Sequence, residues 1–196
     1  MKVTWKDLDS DLVRPLTIEK KIDIFYQQTL GWQLHIADLI ANGGDPLGGG
    51  TRLPSIEHSG FAVLQICLSY FETIGKYRGL PGGSGANFRA GAEDVFPQIR
   101  KIPEPERSEL LSALYKGGRC GLYHNSRTAR GVGLGQPPGG KALAYAPGLK
   151  VLSISPERLP RVLKGHLEGY RAELLDPKNA TTRQRFERQF DRDFGS

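Results

Sequence analysis

Leu114-Tyr115-Lys116-Gly117-Gly118-Arg119-Cys120-Gly121-Leu122-Tyr123-His124-Asn125-Ser126-Arg127 sets an arginine and a histidine five positions apart, with three glycines between the flanking leucines. Leu110, Leu111, Leu114 and Leu122 form an apolar stripe, which predicts a helix from Glu106 to about Tyr123. Gly117-Gly118 and Gly121 weaken its middle, because a glycine costs a helix about 1 kcal/mol relative to alanine. The expectation is either a bend there or a new helix starting near Arg119.

Outward from this stretch, Leu110 to Pro156 contains no Asp or Glu, but it holds Lys116, Arg119, Arg127, Arg130, Lys141 and Lys150. Those six cations equal the whole net charge of +6, from 27 Lys+Arg against 21 Asp+Glu. Attraction to phosphate is a natural use of such a segment. A solvated basic loop is the plain alternative. Tyr115, Tyr123 and Tyr145 are its only aromatics, which gives weak support for a platform that stacks single strands.

Upstream, Thr17 to Ala41 reads as a first long helix, with Ile18, Ile22, Phe25, Leu30, Leu34 and Ala37 recurring at helical spacings. Thr17 is its N-cap candidate, although Lys20 stands where a capping box has Glu. Asn42-Gly43-Gly44 stops it, and 45–50 is a loop. Glu57 to Tyr77 is apolar on most sides, which predicts a central, buried second helix ended by the glycines of 79–85. A weaker helix from Ala86 to about Ile99 is broken by Pro97, and Pro103-Glu104-Pro105 is a second break.

Downstream, Gly131 to Gly140 reads as a flexible loop. It is a poor phosphate-cradling loop, with no preceding strand and no Gly-Lys-Ser/Thr after it. Leu143 to Tyr145 and Leu149 to Ile154 predict a hairpin turning at Pro147-Gly148. Ser155 as N-cap and Pro156 at the next position open a helix to about Leu175, with Leu159, Val162, Leu163, Leu167, Tyr170 and Leu174 inward. Thr181 to Phe194 is a charged terminal helix carrying Phe186 and Phe190.

The fold class is therefore all-α, with five or six helices and a small β-hairpin. The 196 residues suit one domain with a real core, about 17–175, and a C-terminal helical extension, 176–196. No run approaches 18 apolar residues, so no membrane span is expected. Met1 to Asp7 lacks the apolar stretch of a signal peptide, and the default location is cytoplasmic. Cys67 and Cys120 stand alone, without a CxxC, so no disulfide framework or cysteine zinc site is expected. The four histidines make no HxxxH or HExxH, so neither a metal nor another cofactor is expected. His35 and His166 read as structural or surface groups, and His58 fits no motif.

His124 is different because it lies with Arg119 in the acid-free segment. Histidine titrates near neutrality, so it can take a proton from a 2′-hydroxyl or give one to a leaving 5′-oxygen. The arginine fork can hold a phosphate and the charge that grows on it in the transition state. Asn125 and Ser126 would bond the phosphate or orient the imidazole, and Lys116, Tyr123, Arg127 and Arg130 would hold the strand. Five residues turn an ideal helix by about 140°, so the two side chains do not coincide. Arginine's reach, a bend at Gly121 or a symmetric partner chain would bring both heads to one cleft. A purely structural role is the alternative, with Arg119 tying helix ends together and His124 as a polar C-cap.

Tyr115-x3-Arg119-Cys120-Gly121-Leu122-Tyr123-His124 resembles the Arg-x4–6-His signature of HEPN domains in its Tyr-x3-Arg-Cys-Gly-Leu-x-His form. The likeness extends in outline over about 17–175, through the preceding buried helix and the following hairpin and Ser-Pro-Glu helix. It implies an up-and-down four-helix core that forms a homodimer, with two Arg/His pairs in one composite cleft. It also implies a metal-independent endoribonuclease of toxin–antitoxin or defence type, leaving a 2′,3′-cyclic phosphate and a 5′-hydroxyl. RNA would be the substrate, and an antitoxin or defence-system protein a partner. Arg119 and His124 match the catalytic pair. Glu72-x3-Lys76 matches the spacing of a supporting Glu-x3-Lys seen in some members, and equally an ordinary i,i+4 ion pair. Cys120 stands where active members commonly carry Asn, which favours the alternative of a non-catalytic HEPN-like module binding RNA, a nucleotide or a protein.

Overall fold

The structure, a computed structural model, describes residues 16–45, 49–79 and 82–194. The expectation for Met1 to Asp7 lies outside the described residues, as do parts of the loops at 45–50 and 79–85. Among the described residues, six helices and a small three-stranded sheet make up the fold. No helix among the described residues is long and apolar enough to cross a membrane.

The first helix, α1, joins α-helical Ile18–Thr29 and His35–Asn42 through a π-helical turn, Leu30–Leu34. Thr17 caps it as expected, its hydroxyl accepting the Lys20 amide at 3.3 Å. Gly43 ends it at φ +66°, in the left-handed region that glycine enters freely. The second helix, α2, is Gly60–Tyr77, beginning three residues later than the apolar pattern suggested. Val63, Leu64, Cys67, Leu68, Tyr70, Phe71 and Ile74 on it are fully buried, so it is the central helix the sequence called for.

The third helix, α3, is Ser84–Val95. Pro97 cannot continue it, and a 3-10 turn follows at Pro97–Lys101. Two glycines bring α2 and α3 into backbone contact. A Cβ on Gly91 would lie 1.8 Å from the Phe71 carbonyl oxygen, and one on Gly75 1.9 Å from that of Asn87.

The fourth helix, α4, runs from Glu106 to Asn125 without a break in the chain of helical residues, and near Arg119 it changes from π- to α-helical. It is α-helical at Glu106–Ser112, π-helical at Ala113–Cys120 and α-helical again at Gly121–Asn125. Its glycines serve close packing. A Cβ on Gly117 would come 2.7 Å from Val132 Cγ2, and one on Gly118 3.1 Å from Leu68 Cδ1.

The sheet has the order β1-β3-β2, with β1 Val132–Leu134, β2 Leu143–Ala146 and β3 Val151–Ile154. The expected hairpin is β2 and β3, paired antiparallel around a 3-10 turn at Pro147–Leu149. β1 pairs parallel to β3, so Gly131 to Gly140 is not loop throughout. Val132 is buried, and the Thr128 hydroxyl donates to its carbonyl at 2.8 Å.

Helix α5, Leu159–Leu175, begins later than expected, with Arg158 and not Ser155 as its N-cap, because Pro156 lies in a turn in which the Ser155 hydroxyl accepts the Arg158 amide at 3.3 Å. Leu159, Leu163, Leu167, Tyr170 and Leu174 face the core, whereas Val162, expected inward, is 37% exposed because it falls off that stripe. Helix α6, Ala180–Phe194, buries Phe186 and Phe190 in the same core, with Phe186 5.5 Å from Phe25 and 5.3 Å from Tyr77. Lys21 on α1 bridges to Glu187 at 2.9 Å and Asp191 at 2.7 Å.

His166 is structural. The Tyr70 hydroxyl meets its Nδ1 at 2.8 Å, and its Nε2 meets Asp94 at 3.1 Å. Asp94 also accepts from Arg78 Nε at 2.8 Å, and Arg78 forks onto Glu173. This chain of polar contacts links α2, α3 and α5. Burial disfavours the charge on Asp94, but the bonds from His166 and Arg78 outweigh it and hold its carboxyl below the usual range.

Candidate functional site

The end of α4 is held by a loop folded back against it. The Ala129 amide donates to the Gly117 carbonyl at 2.9 Å, and a Cβ on Gly121 would lie 2.8 Å from the Arg127 carbonyl oxygen. Ser126, left-handed at φ 54°, ends the helix as its amide bonds the Leu122 carbonyl at 3.2 Å. His124 is thus not the C-cap. Tyr123, His124, Asn125, Ser126 and Arg127 all stand exposed around this turn.

Arg119 projects toward α2. Its Nη2 donates to Glu72 Oε2 at 2.9 Å, while Lys76 reaches Glu72 Oε1 at 3.4 Å. Glu72 and Lys76 therefore do join the arginine of the motif, and the i,i+4 pair is present as well. Burial pushes the Glu72 carboxyl up, but the Ser84 hydroxyl, Arg119 and Lys76 together hold it below its ordinary value. The segment that lacks acids in sequence has one supplied by another helix.

Arg119 and His124 share no hydrogen bond among the described residues. Tyr123 touches both, with the Arg119 guanidinium carbon 5.3 Å from its ring centre and the His124 ring 5.2 Å away, edge-on. Glu72, Arg119, Tyr123 and His124 form a row from a half-buried carboxylate to an exposed imidazole. Arg119 and Tyr123 also line a hollow of about 220 Å³ with Gln65, Leu68 and Ser69.

The other strand-holding candidates are not gathered there. Lys116 and Arg130 line a separate hollow of about 490 Å³ with Tyr145 and Lys150. Lys150 in that hollow pairs with Glu109 at 3.4 Å. Sequence reasoning overlooked Gln65 and Ser69. Gln65, Ser69, Glu72 and Lys76 recur at i, i+4, i+7 and i+11, a polar stripe on an otherwise apolar helix, and that spacing was the available signal.

A guanidinium carries five donors, and Glu72 occupies one of those on Arg119. The remaining donors can still take phosphate oxygens, and the exposed imidazole can exchange a proton with a hydroxyl beside them. No protein-family model, curated protein or solved structure matches this chain.

Proposed function

We propose that this chain is a HEPN-like protein, an up-and-down four-helix core that pairs as a homodimer and cleaves RNA without a metal. The single observation supporting this is the run of contacts from Arg119 through Tyr123 to exposed His124 at the C-terminal end of α4. His124 removes the 2′-hydroxyl proton, and the 2′-oxygen attacks phosphorus. The bond from phosphorus to the 5′-oxygen breaks, and that oxygen takes a proton from a second His124, supplied by the other copy of the chain. The products are a 2′,3′-cyclic phosphate and a 5′-hydroxyl. Arg119 holds the non-bridging oxygens and the charge that accumulates on them. Glu72 orients Arg119 from one edge, with Lys76 as its second cation. Asn125, Ser126 and Arg127 contact the flanking phosphates. The cellular setting proposed is toxin or defence, with a cognate antitoxin or defence partner.

The test is incubation of mixed RNA with the protein in EDTA, followed by analysis of the ends. Cyclic phosphates and 5′-hydroxyls are expected, and a 2′-deoxy substitution at the cut site should block cleavage. Cutting of the 2′-deoxy strand would contradict the mechanism.

The Arg119–Glu72 ion pair and Cys120 favour a second reading, a non-catalytic module that binds RNA, a nucleotide or a protein. It predicts binding without product. RNA binding would weaken steeply with salt, whereas a salt-independent interaction would point to a protein partner.

A further inference from the structure

The hollow of about 220 Å³ beside the motif has a lining that the catalytic pair does not explain. Leu68, fully buried, is its aliphatic floor, and Tyr123, 65% exposed, is its aromatic wall. Arg119 borders it, and Gln65 and Ser69 bring uncharged polar groups. Among the described residues no carboxylate lines it. An apolar floor, an aromatic ring and a few uncharged polar groups suit a splayed base of single-stranded RNA. Such a base stacks on aromatic side chains and is read along its edges by hydrogen bonds.

Gln65 and Ser69 are four positions apart on α2, which sets them one above the other on the same face. The Ser69 hydroxyl donates to the Ile66 carbonyl at 2.7 Å. Its one hydrogen is thereby used, so toward the hollow its oxygen can only accept. The Gln65 amide makes no hydrogen bond among the described residues, which leaves both its carbonyl oxygen and its NH2 group for a ligand.

Two acceptors and one donor group divide the four bases into two kinds. Adenine and cytosine carry an exocyclic amine beside an unprotonated ring nitrogen. The amine can give one hydrogen to Gln65 Oε1 and the other to Ser69 Oγ, while the ring nitrogen accepts from Gln65 Nε2. Uracil and guanine carry a carbonyl oxygen where that amine stands. It would face the Ser69 oxygen with no hydrogen between them, which leaves both acceptors unsatisfied.

We propose that this hollow reads one base of the strand, taking adenine or cytosine in preference to uracil or guanine, with Gln65 and Ser69 as the specificity-determining residues. The inference rests on the reading that an RNA strand lies along Arg119 and His124. It adds which kind of base stands beside the cut.

The test compares oligo(C) with oligo(U), whose bases are alike in size and differ in the amine and carbonyl at issue. Binding of each fluorescent single strand is followed by anisotropy in EDTA, on protein carrying His124→Ala so that the strands stay intact. Oligo(C) should bind about fivefold or more tightly than oligo(U), and adding Gln65→Ala should bring the two within about twofold. In parallel, wild-type protein and Gln65→Ala are given a random-sequence RNA pool in EDTA, and the new ends are sequenced. Adenine and cytosine should be enriched at one position beside the cut by the wild type, and the variant should cut without that enrichment. Preference for oligo(C) with no cleavage of the pool supports the pocket and removes the nuclease. Cleavage without base enrichment overturns the pocket and leaves the nuclease standing. Equal binding of the two oligomers, or binding of neither, overturns the pocket as well.

Discussion

Arg119 and His124 sit five positions apart and share no contact of their own, but each touches the Tyr123 ring. The arginine also carries Glu72, so its charge is partly neutralised while its fork stays oriented. Arg119→Lys keeps the charge and a partner for Glu72 but loses the fork. Single-turnover cleavage should fall by about a hundredfold or more, with the melting temperature little changed. Asp94 makes a different point. Folding holds its carboxyl below the unfolded value of about 3.9, so the folded state favours the ionised form. That stability is fully present above the unfolded value and is lost as pH falls through the depressed folded one. Asp94→Asn should therefore lower stability at neutral pH and flatten the acid side of a denaturation-against-pH curve. Of the site, the motif and the Glu72–Lys76 pair were legible from spacing. The Arg119–Glu72 bond was not, because it joins residues 47 apart in the chain.

Among the elements, the helices were legible where apolar period and capping residues agreed. Thr17 caps and Pro97 breaks as read, whereas α5 starts at Leu159 with Arg158 as its N-cap, so Ser155 only receives the Arg158 amide in the preceding turn. What failed was the reading of glycine. In α4 Gly117 and Gly118 allow a wide π-helical stretch to pack against Val132 and Leu68, and Gly121 lets the Arg127 carbonyl approach the last turn. In β1 a glycine-rich run hides a strand, because so short a stretch has little room for the alternation that marks one. Gly75 and Gly91 were passed over, although they set the approach of α2 to α3. Gly91→Ala puts a methyl group into the Phe71 carbonyl and should destabilise by about 3 kcal/mol or more, measured by chemical denaturation. Gly165→Ala, on α5 with open space around it, should be neutral or stabilising by up to about 1 kcal/mol.

For the whole molecule, α6 is more than an appendage in packing terms. Phe186 is fully buried against α1 and α2, and Phe186→Ala should cost about 3 to 5 kcal/mol of stability. Its i,i+4 phenylalanines were visible in the sequence, but their destination in the core was not, since period shows a face and never what it meets. The charge pattern behaves the same way. The acid-free segment from Leu110 to Pro156 meets Glu72 from α2 and Glu109 from the first turn of α4, while Arg183 of α6 pairs with Glu19. The proposed RNA cleavage centres on the exposed imidazole. The most direct measurement is the rate of RNA cleavage in EDTA by wild type and by His124→Ala, each confirmed folded by its melting curve. Loss of activity in the folded variant is the predicted result. Equal cleavage by the two proteins would contradict the account.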